Sequence, residues 1–311
     1  MRYAIIDVGT NSIKLLIAEK EKNRDFSFIN DEIDITRLGE GISDDNLLQE
    51  KAMSRTIEGI KNFYQKIVVQ NVPRENIFLK GTMCLRKAKN SSLFKEMLFH
   101  ETGLDIDIIS GDEEARLSYL AAYELTKENS KANLIFDIGG GSTEFILGRG
   151  KDLIYKKSIN IGAVVITEKY LGFDKVNSTQ MESAQKYIAT LIKNEILTEL
   201  LQINEPIENI IGIGGTVTTM GAIQEKMIKY NPDIIQGLSI DSKQVIQQIS
   251  NFANKDIEEK IKIPGLSPKR ADIILGGVLI VEQILQLFTK NHFIISNQAL
   301  RHGVFYDILE K

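Results

Sequence analysis

Two stretches of the chain share one rhythm of apolar and polar positions. Residues 4–20, AIIDVGTNSIKLLIAEK, and residues 134–150, LIFDIGGGSTEFILGRG, each run an apolar strand into an Asp, cross a polar turn containing Gly, and return as a second apolar strand. Aligned without gaps, Ile5, Asp7, Gly9 and Ser12 fall on Ile135, Asp137, Gly139 and Ser142. The pattern predicts a β-hairpin at the head of each half. Beyond the hairpins the two halves continue alike. Helical spacing from Gln49 to Val69 predicts a long helix, then NVPREN a loop, IFLKGT a strand and GTMCLRKAKN a short basic helix. DIDIIS alternates like a strand, and GDEEARLSYLAAYELTKEN continues as a helix ending near Asn129. In the second half a helix is expected from about Ser178 to Leu201, a strand at NIIGIGG and a helix from about Thr216. SPKRADIILGGVLIVEQILQLF offers Ser267 as N-cap with Pro268 at the first helical position, and HFIISNQALRHGVFYDILEK closes the chain as strand and helix. Each half opens β-rich and closes α-rich, which predicts an α/β fold built from a duplicated unit.

Composition narrows the partners. A chain of 311 residues is long enough for two domains. A net charge of -4 and a pI of about 5.6 leave no global basic field for DNA or an anionic membrane, so attraction for a polyanion has to be local. Cys84 is the only cysteine, which excludes an intramolecular disulfide, and the three histidines are too scattered for a zinc set. Any metal would be held by oxygen. The N-terminus shows no charged leader and no apolar run reaches about 18 residues, so a soluble, cytoplasmic protein without membrane contact is expected.

The twin turns carry the first candidate chemistry. Thr10, Asn11 and Ser12 in one copy, and Gly140, Gly141 and Ser142 in the other, can present N–H groups in an arc that receives phosphate oxygens, while Asp7 and Asp137 can anchor hydrated Mg²⁺. Either turn alone reads more readily as a plain hairpin. The pair suggests two anion-receiving loops facing each other across one cleft. A third glycine turn, Gly214, Gly215 and Thr216, lies where a strand enters a helix and offers N–H groups and a hydroxyl at the dipole's positive end. The copies differ chemically. Glu144, which can bind Mg²⁺ or orient water through Asp137, stands where the first copy has Lys14, a salt-bridge partner or phosphate contact; on an exposed strand either is plain polar surface, the reading favoured for Lys14.

In SGDEEARL, Ser110 and Glu113 fit a capping box, whereas Glu114 has no such role and can aim a carboxylate at water beside a phosphate, or else be a solvated first-turn acid. Arg86, with Lys87 and Lys89, suits bidentate phosphate contact, or forms a solvated basic face. Arg37 in TRLGEGI adds a cation in a Gly-containing loop.

Taken in order, DVGTNSIKLLI, TRLGEGI, GTMCLRKAKN, SGDEEARL, FDIGGGSTEF, NIGA, GIGGT, KRADI and ALRHGVFYD resemble the exopolyphosphatase and guanosine pentaphosphate phosphohydrolase family, within the acetate kinase, sugar kinase, heat-shock and actin superfamily. The resemblance implies two duplicated ribonuclease-H-like (actin-like) domains flanking a cleft: residues 1–130 with the returning helix 299–311, and residues 131–298. It implies removal of terminal phosphates from inorganic polyphosphate, or from guanosine pentaphosphate or another nucleotide, with Mg²⁺ or Mn²⁺. It also implies Glu114 as the acid that activates water, Glu144 as the second essential acid, Gly141, Ser142, Gly215 and Thr216 on the phosphate loops, and Arg86 on the polyphosphate. Long members of that family carry a further helical region that extends the substrate channel and helps dimerisation; this sequence stops at Lys311, as short members do, so processivity is open and a homodimer is allowed for. An ATP-dependent kinase of the same superfamily and a non-catalytic actin-like sensor remain as rivals.

Overall fold

A computed structural model of the chain describes residues 1–21, 26–42, 46–126 and 131–310. It divides into two compact units, Met1–Ala121 with Leu300–Lys311 and Ala122–Ala299.

The first unit opens with β1 (Arg2–Val8), β2 (Ile13–Lys20) and β3 (Phe26–Asp34), followed by α1 (Glu50–Val69), β4 (Ile77–Gly81), α2 (Met83–Lys87), α3 (Ser91–Thr102), β5 (Asp107–Ile108) and α4 (Gly111–Tyr123). Its sheet has the order β3-β2-β1-β4-β5, antiparallel from β1 through β3 and parallel from β1 through β5. The second unit holds β6 (Ala132–Ile138), β7 (Thr143–Arg149), β8 (Asp152–Ile159), α5 (Ala163–Ile166), α6 (Ser178–Ile192), α7 (Thr198–Ile203), β9 (Ile207–Ile213), α8 (Gly215–Gln224), α9 (Pro232–Ile235), β10 (Ser239–Asp241), α10 (Ser242–Ala253), α11 (Ile257–Lys260), α12 (Ile274–Leu287) and β11 (His292–Ile295). α13 (Leu300–Glu310) belongs to the first unit. The second sheet repeats the first, β8-β7-β6-β9-β11, with β10 added antiparallel at the edge. This order, with its reversed second strand, is the ribonuclease-H-like arrangement, here twice.

β1 is buried on both faces, as expected for a central strand carrying an almost unbroken apolar run. One face meets Met53, Ile57, Ile60, Phe63 and Ile67 of α1, whose spacing keeps them on a single stripe. The other is covered by α13. There Phe305 sits among Tyr3, Phe26 and Phe28, with ring centroids 5.5 to 6.1 Å away.

Several boundaries depart from the sequence pattern for physical reasons. The chain passes from one unit to the other at Ala121/Ala122, inside α4, whereas the sequence pattern puts the break after residue 130. The expected helix end near 129 falls outside the described residues. DIDIIS contributes only the two residues of β5 to the ladder. β3 and β8 escape the pattern because edge strands alternate weakly: β3 carries Asn30, Asp31 and Glu32, and β8 carries Lys156 and Lys157. Ser267 makes no side-chain cap; Pro268–Arg270 form a separate 3-10 turn and α12 starts only at Ile274. Among the described residues, no helix is long and apolar enough to cross a membrane.

Candidate active site

In the first unit, the hairpin register sets Asp7 directly opposite Lys14, and the Lys14 ammonium lies 3.0 Å from the Asp7 carboxylate. Lys14 is therefore an ion-pair partner and not plain surface. The turn is closed by Gly9 N–H donating to Ser12 C=O at 3.0 Å. It is backed by Arg37 and Gly39, whose N–H groups donate to the carbonyls of Asn11 and Thr10, each at 2.9 Å. Arg37 adopts φ 49°, a left-handed conformation uncommon outside glycine, to make this contact. TRLGEGI thus buttresses the turn through its backbone.

Farther along the same sheet, α2 starts at the C-terminal end of β4 and α4 follows β5, the end of a parallel sheet where ligands usually bind. Arg86 reaches across with Nη1, donating to the Ile109 carbonyl at 2.8 Å and to Glu114 Oε2 at 3.0 Å. Both side chains are about one-third exposed, so the pair is open to a competing anion. Glu113 behaves differently. Its N–H donates to Ser110 Oγ at 3.1 Å, but its carboxylate is gripped by Arg116, which holds its pKa below the ordinary value. Only half of the capping box forms, and Glu114 is left as the acid at the helix start that faces Arg86.

In the second unit the same hairpin places Glu144 opposite Asp137. Like charges directly opposite in an antiparallel pair are unfavourable without a cation. Here Glu144 Oε1 accepts from Ser142 Oγ at 2.7 Å and Ser158 Oγ at 2.8 Å, while its other oxygen has no partner among the described residues. Gly139 N–H closes the turn onto Ser142 C=O at 2.9 Å, as in the first copy. Gly140 and Gly141 are exposed residues, and their amides make no hydrogen bond among the described residues. From behind, Gly162 of NIGA presses on this turn: a Cβ there would lie 2.3 Å from Gly140 O and 2.6 Å from Gly141 N.

The third loop wraps Asp137. Gly214 adopts φ 87°, and a Cβ at that position would fall 2.1 Å from Asp137 Oδ1. Thr216 is buried and its hydroxyl donates to the Ile138 carbonyl at 3.3 Å, so position 216 offers an anion its backbone N–H at the start of α8 and not the hydroxyl. Arg270 completes the arrangement. Its guanidinium fills the space where a Cβ of Gly215 would stand, it is half-buried, and its side chain has no hydrogen-bond acceptor among the described residues. Burial pushes its pKa down and the Asp137 charge opposes this. Sequence reasoning gave Arg270 no role; its only signal was the KRADI segment.

Mg²⁺ suits the donors of the second unit better than those of the first. Asp137 and Glu144 supply oxygen only, and no three His, Cys, Asp or Glu side chains converge among the described residues. Asp7 already has an ammonium against it.

The model of the Ppx/GppA phosphatase family matches residues 16–311. The chain belongs to that family. It is 37% identical over 312 residues to a bifunctional 3-dehydroquinate synthase/phosphatase of Fusobacterium nucleatum, a match covering 99% of this chain and 46% of the relative. It is 34% identical over 307 residues to a guanosine-5'-triphosphate,3'-diphosphate pyrophosphatase of Pseudoalteromonas translucida, covering 99% of this chain and 59% of that one. The chain thus spans roughly half of these relatives' length. The solved Aquifex aeolicus member of the Ppx/GppA family superposes with a TM-score of 0.85 at 30% identity, over 100% of this chain and 98% of its own.

Proposed function

We propose that the protein hydrolyses the terminal phosphoanhydride bond of inorganic polyphosphate and releases orthophosphate. The observation that carries this reading is the second-unit cradle: the unengaged amides of Gly140 and Gly141, the start of α8 and the Arg270 guanidinium are all suited to one phosphoryl group. Asp137 and Glu144 would hold Mg²⁺, which offsets charge on the phosphoryl oxygens. Glu114 takes the proton from the attacking water, and Arg86 contacts phosphate farther along the substrate. In the absence of substrate Arg86 pairs with Glu114; an incoming phosphate competes for that guanidinium and leaves the carboxylate to act on water.

A second substrate, guanosine pentaphosphate, is favoured by the name of the Pseudoalteromonas relative. Initial rates of phosphate release on polyphosphates of several lengths and on guanosine pentaphosphate, with Mg²⁺ present, separate the two. Faster release from polyphosphate is expected; release from guanosine pentaphosphate alone would replace the first reading by the second, and release from neither would overturn both. Turnover also requires no sugar or carboxylate acceptor, which sets this reaction apart from a kinase.

The packing of Gly162 gives a further expected result. Gly162→Ala forces the Gly140–Gly141 backbone to move by several tenths of an ångström or more, and misplacement on the scale of 1 Å can cost about 100-fold. Phosphate release should fall by about tenfold or more, and the melting temperature should fall with it because the clash is with backbone at a buried position, as steady-state kinetics and circular dichroism would show.

A further inference from the structure

α12 is apolar and buried for almost its whole length, yet it carries Glu282 in its interior, 9% exposed. Three glutamine amides surround this carboxylate. Gln185 of α6 donates to Oε2 at 2.7 Å, Gln283 to the same oxygen at 3.2 Å, and Gln286 to Oε1 at 3.4 Å, a long contact. No cation reaches it among the described residues. A carboxylate has about four acceptor sites, so it can accept more than these three bonds.

Glu282 also lines a cavity of about 340 Å³ between α10 and the C-terminal end of α12. Val245, Ile246 and Leu285 form its apolar wall, and Gln286 lies beside the carboxylate. Lys290 is on the rim, but its ammonium donates to the carbonyls of Ile207 and Glu208 at 2.7 and 3.0 Å, which holds it on β9. The volume is in the range of small-molecule sites. We propose that this cavity binds a small ligand carrying a primary ammonium on a short aliphatic chain, the ammonium on Glu282 Oε1 and the chain against Val245, Ile246 and Leu285.

The site shares no residue with the phosphate cradle, so its test is read by binding and stands apart from turnover. The full chain is titrated with n-pentylammonium, 1-pentanol and pentanoate, by calorimetry and by thermal shift. Pentylammonium should bind and raise the melting temperature, while the alcohol and the carboxylate should do neither. Glu282→Gln, close in shape, should weaken binding about tenfold or more through loss of the charge-assisted hydrogen bond, with phosphate release unchanged. Ile246→Trp, at a half-exposed position on the wall, should fill the cavity and block binding with the carboxylate intact. Absence of pentylammonium binding, equal binding of 1-pentanol, or undiminished binding by Glu282→Gln would each overturn the proposal.

Discussion

Glu114→Gln is expected to lower kcat by at least about 100-fold while polyphosphate still binds. The amide keeps the length and shape of the side chain and can still accept from Arg86, so the local structure around Ser110 and α4 should persist. What it cannot do is take a proton from water. Loss of a general base typically costs about 100- to 10,000-fold, and the low end of that range already exceeds the effect of removing a surface acid from a helix N-terminus. Single-turnover phosphate release and equilibrium binding of polyphosphate to the same variant separate the two properties. Turnover equal to that of the unaltered protein would remove Glu114 from the chemistry, and loss of binding and turnover together would make it a binding residue.

The asymmetry between the two hairpins explains how much of the site is legible in the sequence. A strand ending in Asp, a Gly-containing turn and a returning hydroxyl residue are local features, and both turns close with the same N–H to C=O bond across Ser12 and Ser142. Local features survive in sequence. The exchange of Lys14 for Glu144 is also visible there, but its meaning depends on register: only the ladder shows that each faces the Asp of its own hairpin. The consequence is opposite in the two units. Asp7 is neutralised in place, whereas Asp137 gains a second carboxylate beside it and a guanidinium from elsewhere in the chain.

Positions whose role depends on distant backbone are not legible. By pattern Arg270 lies near the start of a long helix, and the 3-10 turn that breaks this helix is what sets its guanidinium against Gly215. Gly162 is, in sequence, one residue of a short motif; its close approach to Gly140 exists only once β8 has paired with β7 and returned the chain behind the turn. The hydroxyl of Thr216 reads as available to a ligand, and the carbonyl of Ile138 takes it instead. Edge strands escape for a related reason. Half of their surface is solvated, so β3 and β8 carry charges where a central strand carries Ile or Leu.

One of those edge charges leads to the second large effect: Asp31→Ala should destabilise the protein by about 3–5 kcal/mol. Asp31 on β3 accepts two hydrogen bonds from Arg301 of α13, at 2.7 and 2.8 Å, and lies 3.3 Å from the His302 imidazole. Arg301 and His302 are 5% and 2% exposed, so deletion of the carboxylate strands a buried guanidinium, which costs far more than loss of a surface pair. Burial pushes the Asp31 pKa up, but the hydrogen bond from His302 and the charge of Arg301 outweigh it and lower the value to about 2. A carboxyl group with a depressed folded-state pKa stabilises the fold fully above its unfolded value, 3.8, and loses that contribution as pH falls through about 2. The shift corresponds to about 2 kcal/mol at most, reduced by solvent screening because the Asp31 side chain is 25% exposed, and less than the deletion costs because the protonated acid still fills its place and can accept one bond. Urea unfolding at neutral pH should therefore show a large drop in midpoint for Asp31→Ala, and a series from pH 5 down to pH 2 should show a shallower acid loss in the variant than in the unaltered chain. Equal midpoints and equal acid slopes would mean that α13 is held to the sheet by the aromatic cluster around Phe305 alone.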